Sequence, residues 1–155
     1  MQNFALISSL RISMNVFVKI LSSATVLAYD VVLIPIHTND HWTAAVIDFR
    51  VKQIRYMDSM GGSGDESLHT LLEYLTEYIN VRSGPPLNPT DWVLMNQRNL
   101  PKQENGSDCG VFTLKYADYT SLDEQINFTQ QNMPYFRRRI MYELITATIL
   151  SNESA

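Results

Sequence analysis

Cys109 is the only cysteine in the 155-residue chain, and the residues around it suit reactivity better than packing. The stretch runs Gln103-Glu104-Asn105-Gly106-Ser107-Asp108-Cys109-Gly110. Helical spacing begins at Cys109, through Val111, Phe112, Leu114, Lys115 and Tyr116, with Ser107 or Asp108 as the predicted N-cap. A sulfur in the first turn of a helix faces unpaired N–H groups and the positive end of the helix dipole, and both favour thiolate over thiol. Gly106 and Gly110 keep the surroundings small enough for a substrate backbone to approach. On count alone a lone cysteine reads as a small buried apolar side chain; its neighbours reverse that preference.

A thiol nucleophile needs a base, and the base needs an orienting group. Of the three histidines, His69 falls within a helical pattern and reads as a surface residue, while His37 ends one predicted strand and His41 begins the next. His41 is followed by Trp42, a flat side chain able to wall a narrow channel. Asp58, seventeen residues beyond His41, ends a further strand, and a hairpin between those strands brings the carboxylate to the imidazole. Gln103 offers a side-chain N–H to the oxygen of a tetrahedral intermediate, with the backbone N–H of Cys109 as the second donor. Singly, Trp42 reads as core, Asp58 as a turn former and Gln103 as a loop residue. The order His, Asp, Cys favours the catalytic reading.

These groups need a scaffold. Val31–His37, Trp42–Phe49, Gln53–Asp58 and Trp92–Gln97 read as strands, the second and third forming an antiparallel hairpin across the short Arg50–Lys52 connection. Asp65–Ile79 places Leu68, Leu71, Leu72, Leu75, Tyr78 and Ile79 at helical spacing. Ser83–Pro89 reads as a loop. A closing helix over Met133–Leu150, with Pro134 in its first turn, carries Phe136, Ile140, Met141, Leu144 and Ile145 on one stripe. The element order predicts an α+β layer fold.

Composition narrows the remaining classes. The net charge of −4 gives no reason to expect nucleic-acid binding, and suits a partner with a basic patch only weakly. One cysteine excludes an internal disulfide and makes a cytosolic or nuclear setting the natural one. One cysteine and three histidines without paired spacing predict no metal site. Residues 1–29 are mostly apolar and Ser-rich, with Arg11 and Lys19 as the only charges before Asp30; Lys19 interrupts the apolar run, so the segment reads as a helix or an atypical leader rather than a membrane span.

Several motifs in order resemble the SUMO (sentrin)-specific, ubiquitin-like-protein-specific cysteine proteases, peptidase family C48. They are Leu33-Ile34-Pro35-Ile36-His37, His41-Trp42, Asp58-Ser59-Met60-Gly61-Gly62, the Gln103–Gly110 stretch, Lys115-Tyr116-Ala117-Asp118, Ile126–Gln131 and Met133–Arg137. The resemblance covers about Asp30 to Leu150, leaving 1–29 as an unassigned leader, 30–150 as a catalytic domain lacking the family's usual N-terminal part, and 151–155 as a tail. It implies a papain-like fold, with a central, mostly antiparallel sheet packed by helices and the nucleophile at a helix N-terminus. It further implies His41 as general base, Asp58 as its orienting acid, Cys109 as nucleophile, Gln103 as oxyanion donor, and Trp42 over the substrate's Gly-Gly tail. The implied partners are SUMO precursors and SUMO-conjugated proteins, met by a monomer that needs no cofactor, nucleic acid or membrane. The implied location is the nucleus or nuclear envelope, or the cytoplasm. The alternative is a catalytically impaired SUMO-binding or regulatory fragment of such a protease.

Overall fold

Strand alternation decides the layers. Val32, Ile34 and Ile36 point to one side of the sheet and Val31 and Leu33 to the other, and each set is buried in its own apolar cluster. The computed structural model describes residues 4–6, 26–81 and 85–150. Five strands, β1 (Phe4–Leu6), β2 (Val31–Thr38), β3 (His41–Asp48), β4 (Gln53–Met57) and β5 (Val93–Asn96), form one sheet in sequential order. The β2–β3 and β3–β4 pairs are antiparallel, as expected for the hairpins. The two flanking pairs, β1–β2 and β4–β5, are parallel, so the sheet is mixed. Parallel pairing of β4 with β5 follows from the helix between them, which returns the chain to the end where β4 began.

That helix, α1 (Asp65–Val81), starts with Asp65 and Glu66 at the positive end of its dipole and buries Leu68, Leu71, Tyr74, Leu75, Tyr78 and Ile79 on the Val32–Ile34 side. On the other side lie α2 (Cys109–Ser121) and α3 (Met133–Thr146), which, with Phe128 of the connection between them, pack Phe112, Tyr116, Met133 and Phe136 against Leu33, Val46 and Met57. Buried Lys115 of α2 pairs with Asp118 and places its ammonium 4.6 Å from the centre of the Phe136 ring, joining the two helices.

Three expectations need correction. Phe4–Leu6, inside the segment read as a helix or leader, forms a strand that pairs with Val31–Leu33 and covers part of the β2 edge; residues 7–25 lie outside the described residues, as do 82–84 of the predicted loop. The last helix ends at Thr146, where Ala147 takes the left-handed conformation with φ of 50°. Its expected stripe is buried only at Phe136 and partly at Ile140, whereas Leu144 and Ile145 are each 77% exposed.

Gly64 fixes the start of α1 on the sheet. Its N–H donates to Asn96 Oδ1 at 2.8 Å, and a Cβ there would come within 2.2 Å of the Tyr56 ring. Gly64→Ala should therefore overpack this contact and cost about 2 kcal/mol, lowering the melting temperature by about 4–8 °C. Thermal denaturation followed by circular dichroism tests this; an unchanged midpoint would mean that α1 shifts freely on the sheet.

Candidate active site

The β3–β4 register brings two of the predicted groups to one end of the sheet. Ala44 pairs with Met57, so the start of β3 lies beside the residues that follow β4. There His41 Nε2 donates to Asp58 Oδ1 at 2.6 Å, with the carboxylate side chain only 7% exposed. Because a carboxylate only accepts, the proton resides on Nε2, and Nδ1 is the nitrogen left for proton transfer.

The loop after β4 is shaped around this carboxylate. Met60 N–H donates to Asp58 Oδ1 at 2.8 Å and Gly62 N–H to Oδ2 at 2.9 Å. Gly61 has φ of +79°, and a Cβ at Gly62 would lie 2.6 Å from Asp58 Oδ2. The Asp-x-x-Gly-Gly spacing is thus the sequence of a turn closing on its own acid.

Gln103 comes to the same loop. Its backbone N–H donates to Ser59 O at 3.0 Å, Ser59 Oγ donates to its Oε1 at 2.6 Å, and its Nε2 donates to Asn105 O at 2.6 Å. Cys109 stands at the first position of α2, 7% exposed. Among the described residues no hydrogen bond joins it to His41. Trp42 links the two halves of the site: its ring lies 4.5 Å from that of His37, centre to centre, and a Cβ at Gly110 would meet its Cδ1 at an ordinary 3.8 Å. At Gly106 a Cβ would meet nothing within 4 Å. His37 packs beneath the indole, and His69 is exposed on α1.

The N-cap differs from expectation. Asp108 occupies the cap position, but its side chain caps nothing. The carboxylate, in a residue 5% exposed, instead accepts from Asn105 Nδ2 and Gln130 Nε2 at 2.7 and 2.8 Å, and from Arg137 Nε at 2.7 Å. Arg137 also donates to Ser107 O, Gln130 Oε1 accepts from Glu104 N–H, and Asn105 Oδ1 accepts from the N–H groups of Ser107 and Asp108. Burial pushes the Asp108 carboxyl up, but hydrogen bonds from Asn105, Gln130 and Arg137, with the charge of Arg137, reverse this and hold it below its usual value. Drawn aside in this way, the carboxylate leaves the first N–H groups of α2 uncapped beside Cys109. Ser59, Asn105, Asp108, Gln130 and Arg137 are the site residues to which the sequence reading gave no role of this kind. Asn105 had a local signal, an Asn two residues before Ser107 in a Gly-containing turn; Gln130 and Arg137 stood only within motifs of the family resemblance, with no local sign of this pairing.

A groove of about 770 Å³ opens from Cys109, Trp42 and Arg137 and runs along α2 to Met141, Leu144 and Ile145 of α3. The exposed part of the α3 stripe is one of its walls.

Known proteins resemble this chain in sequence and in fold. Residues 10–149 match the Ulp1 protease family, C-terminal catalytic domain, a span that reaches upstream of Asp30. The chain is 42% identical to human sentrin-specific protease 2 over 123 residues, which make up 78% of this chain and 21% of that protein; it spans about a fifth of the length of such relatives. The Chaetomium thermophilum Ulp1-like SUMO protease catalytic domain superposes with a TM-score of 0.75 at 28% identity, covering 86% of this chain and 55% of that one. The C-terminal Ulp1 protease domain in complex with Smt3, the yeast ortholog of SUMO, shares the fold with a TM-score of 0.74 at 22% identity, covering 93% of this chain and 68% of that one.

Replacing Arg137 by Met should destabilise the protein by about 1–2 kcal/mol at neutral pH, the cost of leaving a buried carboxylate without its half-exposed cation. Because the folded protein holds Asp108 below its unfolded value, this contribution is present above the ordinary carboxylate range and is lost as pH falls through the lowered folded value. Urea denaturation of wild type and variant should show a gap at pH 7 that closes below about pH 4. A gap independent of pH would mean that the arginine acts by packing alone.

Proposed function

Since the chain belongs to the Ulp1 protease family, C-terminal catalytic domain, we propose that it is a SUMO-specific cysteine protease cleaving after the C-terminal Gly-Gly of SUMO, in precursors or in isopeptide-linked conjugates. The observation that carries this reading is the 2.6 Å His41–Asp58 hydrogen bond, made by the neighbour of Trp42, which lines the same groove as Cys109. The SUMO partner is supported by the Ulp1–Smt3 complex and by the sentrin-specific relatives.

In this scheme the thiolate of Cys109 attacks the C-terminal glycine carbonyl. The Nε2 of Gln103 and the uncapped N–H of Cys109 receive the oxyanion. The C–N bond then breaks, His41 Nδ1 gives its proton to the departing amine, and a thioester remains on Sγ. Water, losing a proton to the same nitrogen, attacks the thioester; its C–S bond breaks, freeing the glycine carboxylate and restoring the thiolate–imidazolium pair. Asp58 keeps Nε2 protonated and the ring oriented throughout. Trp42 lies over the two glycines, whose lack of Cβ lets an extended backbone pass beneath an indole. Every group in the scheme comes from one chain, so a monomer suffices.

A SUMO bearing a C-terminal electrophile should form a covalent adduct with the wild type, visible as a mass increase, and none with Cys109→Ser. SUMO binding without adduct formation would reject the protease in favour of a non-catalytic SUMO-binding protein. Gly62→Ala should lower kcat/KM by about 10- to 100-fold, because the new Cβ displaces Asp58 from the geometry that orients His41. Unchanged turnover in that variant would remove Asp58 from the scheme.

A further inference from the structure

We propose that Ser59 is a positioning residue for the oxyanion donor, fixing which end of the Gln103 amide faces the reacting carbonyl. The role presupposes the acyl-transfer chemistry proposed above. A glutamine amide has two ends of nearly equal shape, one accepting and one donating, and only the donating end stabilises an oxyanion. Two neighbours decide the choice here. Asn105 O can only accept, so the amide group beside it at 2.6 Å is Nε2. Oε1 then faces Ser59 Oγ at 2.6 Å, and the serine hydroxyl donates. Reversing the amide would set Oε1 against a carbonyl oxygen.

The Ser59 hydroxyl is well placed for this work. The residue is 1% exposed, so water does not compete for Oε1 from its side. Its own carbonyl accepts from Gln103 N–H at 3.0 Å, and backbone and side chain of Gln103 are therefore held by the same residue. Ser59 also follows Asp58 directly. One dipeptide thus orients the base through Asp58 and the oxyanion donor through Ser59, and a movement of the loop carries both together.

Steady-state hydrolysis of a SUMO carrying a fluorogenic amide on its C-terminal glycine tests the assignment, using Ser59→Ala in the wild-type and Gln103→Ala backgrounds. Ser59→Ala should lower kcat about tenfold, less than the loss of the whole donor, by loosening the amide. KM should stay within about twofold, since Ser59 holds a group used chiefly in the transition state. The limbs of the pH–rate profile should not move, because Ser59 does not titrate and His41 keeps Asp58. In the Gln103→Ala background Ser59→Ala should have no further effect. A kcat equal to wild type, a moved pH profile, or a tenfold fall that persists without Gln103 would overturn the assignment; the last also identifies a merely structural loss. An inactive wild type would overturn the protease reading and this role together, whereas an active wild type with any of those three outcomes overturns this role alone.

Discussion

A carboxylate at the head of a helix ordinarily hydrogen-bonds the first free N–H groups, and in this protein it is kept from doing so. Asp108 is the N-cap of α2 by position, yet Asn105, Gln130 and Arg137 take up its oxygens. Had Asp108 capped the helix, the N–H groups nearest Cys109 would be occupied and a negative charge would lie against the sulfur. The withdrawn carboxylate removes both obstacles. The packing of α3 makes this possible: Phe136 packs among Phe128 and its neighbours, and that contact delivers Arg137, one residue later, to the start of α2. The aromatic cluster beneath the helices therefore serves the electrostatics above them.

The site rests on two supports built in different ways. His41, Asp58, Ser59 and Gln103 belong to the end of the sheet, where the β3–β4 register and the bond from Gln103 N–H to Ser59 O set their spacing. Cys109 belongs to α2, which reaches the sheet through apolar packing by Val111 and Phe112. Hydrogen bonds are directional and packing is less so, which makes the relation between the two supports the softer coordinate. In agreement, the His41–Asp58 bond is short, while among the described residues no hydrogen bond joins His41 to Cys109.

How far this was legible in the sequence depended on the kind of signal. The hairpin, and with it the approach of His41 to Asp58, followed from strand patterns and a short connection, because antiparallel register is a local consequence of loop length. The first turn of α2 followed from helical spacing. Arg137 and Asp108, 29 residues apart, share no periodicity, and their pairing exists only once α3 has docked. Ser59 was visible within a motif, but its hydroxyl has a partner 44 residues away. The α3 stripe misled in the opposite direction: spacing reports that one face is apolar, not what covers it, and Leu144 and Ile145 face an open groove. The strand at Phe4–Leu6 was missed because its partner, the β2 edge, lies more than twenty residues downstream.

The surroundings of Cys109 on the groove side are mainly apolar. Trp42 is held against His37, and Gly110 lies opposite its edge with no side chain of its own. The groove that continues from this point is lined largely by apolar side chains, Leu33, Ala44, Val111 and Leu114 among them, with Arg137 at its mouth. An extended strand laid along the indole would gain dispersion and apolar contact there. In the proposed protease scheme a Gly-Gly end brings no side chain to this approach, so the rest of the partner has to be read by surface lying farther from the sulfur.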